Sequence, residues 1–187
     1  GNVTVASGAT IGRGATIGSF TATGTTLAGG ARLEFKIWDI NTQVAGVGYD
    51  LIVASTLDLS GLSSGSRATL NLMTLANPGD GVSGTPVAFD KDLSQSFTLI
   101  NYSSLNLGTN TNVSNLFTIN LNGFVAQDGS ALNAGDFAVI NDAANNSLKL
   151  QYVSAVPEPS TYGLALGFLS LAVVAVRRQR RKAAAQA

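Results

Sequence analysis

The 187 residues contain neither histidine nor cysteine. Hydrolysis near neutral pH usually needs a base with a pKa close to seven, and histidine is its common supplier. Without these two residue types the standard catalytic triads, thiol nucleophiles and usual zinc sites are excluded. Carboxylates remain. Paired Asp/Glu can do glycosidase work, and Asp39, Asp50, Asp58, Asp90 and Asp92 are the candidates, each of which reads as a surface aspartate at a strand end. Residues 45–53, Ala-Gly-Val-Gly-Tyr-Asp-Leu-Ile-Val, fit the Gly-Gly-x-Gly-x-Asp-x-apolar-x nonapeptide except at its first position. That motif holds calcium between stacked turns. One copy cannot supply the six or more oxygens the ion takes, so the stretch reads as a loop leading into a strand. Asp90-Lys91-Asp92 starts like an EF-hand loop, but Gln95 stands where glycine is required. No glycine-rich loop precedes a helix, so no phosphate cradle is expected. No catalytic, cofactor-binding or metal-binding residue is assigned, and the chain reads as a non-enzyme.

The residues with the most informative spacing lie near the C-terminus. Val156-Pro157-Glu158-Pro159-Ser160-Thr161 leads into residues 162–176, which carry no charge, and Arg177, Arg178, Arg180, Arg181 and Lys182 follow. Two prolines two positions apart fix φ and remove two backbone donors, so neither helix nor strand runs through them. The apolar block reads as a transmembrane helix, the form in which a spanning backbone satisfies its own polar groups. At about 1.5 Å per residue it covers roughly 22 Å of a ~30 Å hydrocarbon core. Snorkelling arginines at one end and Ser160 and Thr161 at the other make up the difference. The five cations read as a stop-transfer signal with 183–187 ending a cytoplasmic tail, so everything before residue 156 is expected to be exported. Gly163 and Gly167 form a Gly-x-x-x-Gly pair, a packing face within such a helix.

This order of proline box, hydrophobic segment and arginine-rich end, over residues 156–182, resembles the PEP-CTERM sorting signal of Gram-negative bacteria. The resemblance implies a temporary inner-membrane anchor, cleaved by an exosortase (a membrane-bound cysteine transpeptidase). The mature protein would then pass to the cell surface or the extracellular polysaccharide. On that reading Pro157, Glu158 and Pro159 are the processing motif. The implied partners are the exosortase, the inner membrane and exopolysaccharide.

The net charge of zero conceals an asymmetry. Without the five tail cations, six Lys/Arg face eleven Asp/Glu, so the exported part carries about −5 and is a poor partner for nucleic acid. The absence of cysteine is compatible with an oxidising compartment and rules out a disulfide framework. The chain begins at Gly1 and its one methionine is Met73, as expected of a processed product or a fragment.

The elements that would position any site are strands. Residues 8–13 and 14–19 read Gly-Ala-Thr-Ile-Gly-Arg and Gly-Ala-Thr-Ile-Gly-Ser, with Val5, Ile11 and Ile17 six apart, as if pointing inward from successive rungs of a β-solenoid. In residues 32–40, Leu33, Phe35 and Ile37 alternate with Glu34 and Lys36, the period of a half-buried strand with Lys36 toward solvent. Further strands are expected within 50–59, 68–75 (Leu70, Leu72 and Thr74 on one face), 97–102, 117–121, 137–140 and 148–153. Residues 25–30 read as a turn, 41–48 as a loop, and 77–95 as an excursion. No amphipathic helix precedes residue 160.

Val3-Thr4-Val5-Ala6-Ser7-Gly8-Ala9-Thr10, Gly29-Gly30-Ala31-Arg32-Leu33-Glu34-Phe35, Gly48-Tyr49-Asp50 and Leu57-Asp58-Leu59-Ser60-Gly61 resemble the C-terminal end of autotransporter-associated β-strand repeat proteins. In that resemblance Gly12-Arg13-Gly14 replaces a common Pro-Gly turn. The expectation is an all-β chain: an exported β-solenoid over 1–155, then a sorting signal over 156–182 with one transmembrane helix at 162–176. Its role would be structural or adhesive at the cell surface or in the matrix. A polysaccharide-binding module, or the non-catalytic end of a β-helix carbohydrate-active enzyme, is the alternative.

Overall fold

Short, β-branched-rich segments separated by Gly/Ser/Asn turns favour extended chain, and here they pair across long sequence gaps. The computed structural model describes residues 1–154 other than Gln43 and Asp80. The ten strands are β1 (Asn2–Val5), β2 (Thr10–Ile11), β3 (Ser19–Leu27), β4 (Arg32–Ile37) and β5 (Leu51–Asp58), then β6 (Ala68–Thr74), β7 (Gln95–Asn106), β8 (Phe117–Asn120), β9 (Phe137–Asp142) and β10 (Ser147–Tyr152). Three 3-10 turns lie at Val113–Leu116, Ala134–Asp136 and Ala143–Asn145.

Up to β8 the chain alternates between two sheets. One has the order β1-β3-β5-β7-β10-β9, the other β2-β4-β6-β8. The smaller sheet is parallel throughout. The larger is parallel from β1 to β7 and antiparallel from β7 through β10 to β9. Parallel register stacks like on like. Ile11 lies beside Leu33, Leu33 beside Leu70, and Leu70 beside Ile119, while Phe35 lies beside Leu72. Leu33, Phe35, Ile37, Leu70 and Leu72 are buried, so the alternation read from the sequence identifies the inner face of this sheet correctly. Beyond these ladders the core is aromatic: Tyr49 meets Phe97 edge-on at 5.3 Å, Phe89 meets Phe124 edge-on at 5.0 Å, and Phe137 meets Tyr152 at 4.9 Å. The excursion at 77–95 thus delivers Phe89, with no exposed surface, into the core.

Several expectations are corrected. The expected all-β solenoid is not found: the described residues form two sheets, one of mixed direction, with three 3-10 turns and no closed solenoid. The separation between paired residues explains why. Asn2 pairs Gly24 and Thr10 pairs Arg32, twenty-two positions on in each case. By the last passes the partners are 48 or 49 apart, as in the contacts of Asn106 with Asp58 and Asn120 with Asn71. Passes of such unequal length cannot repeat one rung, and the antiparallel β9–β10 pair ends the parallel order in the larger sheet. The six-residue repeat is not a rung either. Val5 and Ile11 are buried in different sheets, whereas Ile17 lies outside any strand and donates its N–H to the Pro78 carbonyl at 2.9 Å. The turn expected at 25–30 begins as strand, since β3 runs to Leu27. Among the described residues no helix is long and apolar enough to cross a membrane, and the helix expected at 162–176 lies outside them.

Candidate functional site

The main departure from the sequence reading is on the outer face of β4. Lys36, expected in solvent, has no exposed surface, and Asp50, expected at a strand end in water, is 4% exposed. The loop after β4 doubles back along it. Trp38 and Asp39 donate their N–H groups to the Gly48 carbonyl at 2.9 and 3.0 Å, and Ile37 bridges Tyr49 in antiparallel fashion. This return requires glycine at position 48, where a Cβ would come within 2.0 Å of the Asp39 carbonyl oxygen. Asp50 is thereby laid beside Lys36 just before the chain enters β5. From the other side Gly12 closes over Glu34, where a Cβ would fall 2.8 Å from that of the glutamate.

Under this cover Lys36 Nζ lies 2.9 Å from Asp50 Oδ2, while Glu34 Oε1, on a side chain 30% exposed, lies 3.5 Å from it. The Asp50 carboxyl also accepts the N–H of Gly18 on Oδ1 at 3.1 Å and of Lys36 on Oδ2 at 3.0 Å. Burial pushes its pKa up, against the lowering effect of Lys36 and the two backbone donors. The calcium-like nonapeptide is accounted for here: Asp50 faces an ammonium group, as its loop-to-strand reading permits. Among the described residues no group of three or more Asp, Glu, His or Cys could hold a metal ion.

The remaining candidate aspartates each accept a hydrogen bond from a residue close in sequence. Asp39 Oδ1 accepts from the Asn41 N–H at 2.8 Å, and Asp58 Oδ1 accepts from Ser60 N–H at 2.9 Å and Asn106 Nδ2 at 3.1 Å. Asp90 Oδ1 accepts from the Asp92 N–H at 2.8 Å, and Lys91 reaches Asp92 at 3.0 Å and Asp128 at 3.7 Å. These last residues, with Phe89 and Gln127, line a cavity of about 280 Å³. A larger groove of about 650 Å³ runs over the outer face of the four-stranded sheet. Thr10, Arg32 and Thr69 form one row, Glu34, Asn71 and Asn120 another, and Met73 and Asn122 complete it. Asn120 Nδ2 donates to Asn71 Oδ1 at 2.8 Å. Sequence reasoning missed both this groove and the Lys36 cluster. A hint of the cluster was present in Glu34-x-Lys36 on one strand face.

Pro157, Glu158, Pro159, Arg177, Arg178, Arg180, Arg181 and Lys182 lie outside the described residues, as do Gly163 and Gly167. For them the order of residue types decides: a glutamate between prolines, an uncharged block, then a cluster of cations. Residues 155–181 match the PEP-CTERM protein-sorting motif. The PEP-CTERM motif marks an exported protein sorted through exosortase, a membrane protease, by a membrane-anchored signal. The PEP-CTERM segment begins after the compact unit Gly1–Val153 has ended, so the sorting motif and that unit occupy separate stretches of sequence. No curated protein and no solved structure matches the chain.

Proposed function

We propose that this chain is a structural or adhesive protein of the cell surface or extracellular matrix, without enzymatic activity, held briefly in the inner membrane and released by exosortase cleavage. The observation that supports the export and sorting in this reading is the PEP-CTERM match at 155–181, directly after the unit Gly1–Val153. Residues 162–176 would span the membrane with the C-terminus cytoplasmic, because the five cations that follow resist translocation. Prolines such as Pro157 and Pro159 disfavour helix, and an extended segment would suit a protease cleft. Glu158 lies outside the apolar block, where its carboxylate stays hydrated and can meet a cationic group of the enzyme. A plain anchor needs only apolar length and flanking cations, so the two readings separate by mutation in the native host. Replacing Pro157, Glu158 and Pro159 with alanine is expected to leave insertion intact and trap an uncleaved membrane form. If that variant is trimmed and released like the wild type, the tail is only an anchor.

The groove over the four-stranded sheet favours a second reading, a polysaccharide-binding module. Its amide and hydroxyl side chains can exchange hydrogen bonds with sugar hydroxyls, and its floor is set by strand register. Retention of the chain on the host's exopolysaccharide, abolished by Asn71→Ala together with Asn120→Ala, would support binding through this face. Unchanged retention would exclude it.

A further inference from the structure

Lys36 and Asp50 form a buried contact that the sorting function does not require. A buried ion pair gives little net stability unless its geometry is very good, because both charges lose their hydration. This pair has further features. It is closed off from water, it carries a third ionisable group at 3.5 Å, and a backbone N–H from Gly18 points at the carboxyl oxygen not facing the amine. We propose that Lys36 and Asp50 are a self-modification site, at which the two side chains condense to an amide with Glu34 as the proton carrier.

The step balances without an outside reagent. Lys36 Nζ gives one proton to Asp50 Oδ2 across their 2.9 Å contact, leaving an amine facing a carboxylic acid. The nitrogen lone pair attacks Cγ, an N–C bond forms, and the carbonyl electron pair moves onto Oδ1. The Gly18 N–H, 3.1 Å away, is placed to stabilise that oxygen, as backbone donors do for tetrahedral intermediates. Glu34 takes a second proton from Nζ and passes it to the hydroxyl at Oδ2. The C–O bond then breaks, water leaves, and the nitrogen keeps one proton as the amide N–H. No atom is oxidised or reduced.

Two physical facts favour the reaction here. Orientation of this kind is worth effective concentrations of about 10⁵–10⁸ M in well-aligned intramolecular reactions. Burial raises the Asp50 pKa, which favours the protonated carboxyl that the attack needs. The product exchanges two buried charges for one neutral amide. It joins β4 of the smaller sheet to the residue immediately before β5 of the larger one, in a chain that has no cysteine with which to make another cross-link. The proposal does not depend on the exported reading.

Intact-mass spectrometry of the full chain, purified in detergent, is the test. The folded protein is expected to be lighter than its sequence by one water. Trypsin should fail to cut after Lys36, and the digest should contain a branched peptide joining Lys36 to Asp50. Lys36→Arg is expected to keep the full sequence mass. Since that variant can misfold, Glu34→Gln is the second arm: it leaves the buried pair in place and should slow or abolish the loss of water. Full mass in folded wild-type protein would overturn the proposal and leave an ion pair. So would a lost water that maps to Asp80-Gly81 or Asp128-Gly129, where a succinimide gives the same mass. Cross-linking at the wild-type rate in Glu34→Gln would remove Glu34 from the mechanism.

Discussion

Two lysines in this protein sit between two carboxylates at nearly the same distances, yet their surroundings are opposite. Lys36 Nζ lies 2.9 Å from Asp50 and 3.5 Å from Glu34, with its side chain fully buried. Lys91 Nζ lies 3.0 Å from Asp92 and 3.7 Å from Asp128, with all three groups in contact with solvent. In water the attraction is screened, side-chain entropy opposes it, and exposed pairs contribute little. Under the loop 38–50 the same charges have no hydration to fall back on, so losing one partner leaves the other uncompensated. Distance therefore says little about what an ion pair contributes to the fold; the cover over it says more.

The largest expected effect follows directly. Lys36→Ala should destabilise the fold by about 3–5 kcal/mol, the cost of stranding a buried charge. Lys91→Ala should leave the denaturation midpoint unchanged. Phe35→Ala, on the inner face of the same strand, should cost about 3–5 kcal/mol through the lost burial and the cavity left behind. Urea unfolding of the three variants checks all of this, and the signature is that substitutions on both faces of β4 are costly. A tolerated Lys36→Ala would break the comparison by showing that the outer face is wet.

The next effect is in pH. Asp58, Asp128 and Asp142 have pKa values lowered in the fold, through hydrogen bonds from Ser60, from Ser130, and from Lys149 and Asn145 respectively. A lowered carboxyl binds fewer protons when folded than when unfolded, so its contribution is present above the unfolded pKa of about 3.9. It is lost as pH falls through the folded value. Asp50 runs the other way: a raised pKa makes stability fall as pH rises from about 3.9 toward the folded value. Acid titration of Asp142→Asn should therefore show a flatter loss of stability below about pH 4 than the parent. In Glu34→Gln, where Asp50 stays a free acid, the slope just above that pH should bend in the opposite sense to the exposed set. A single common slope in both proteins would mean that burial does not distinguish these aspartates.

What the sequence revealed follows the same division. Alternation of apolar residues located the inner faces of β4 and β6, because period two is a local property of the pleat. It could not show that the outer face of β4 is covered, since the cover comes from Gly12, Gly18 and the returning loop with Gly48. From sequence alone Lys36 and Asp50 read as surface residues for that reason. The repeat at 8–19 misleads because hexapeptides alike in their first five residues take different environments: Ile11 enters a sheet and Ile17 does not. β3 escaped notice because Ser-Phe-Thr-Ala-Thr-Gly-Thr-Thr-Leu offers few large apolar residues, and its neighbours β1 and β5 hold it extended. The sorting tail was legible because its signal is compositional order, which needs no tertiary context.

The smallest effect tests the rule beneath the comparison, that burial is costly for a polar group only while it lacks a partner. Thr25 on β3 is 1% exposed, and its Oγ1 has no hydrogen-bond partner among the described residues. Thr74 on β6 is equally buried, but its Oγ1 accepts from the Val125 N–H at 3.0 Å. Valine has nearly the shape of threonine and lacks the hydroxyl. Thr25→Val should therefore stabilise the fold by about 1 kcal/mol, through release of an unpaired group from a dry site. Thr74→Val should destabilise it by about 1–3 kcal/mol, because the Val125 N–H is left unmatched. Opposite shifts of the urea midpoint are the expected result. If both valines destabilise, Thr25 has a partner after all, and its burial falls into the satisfied class with Thr74 and Asp50.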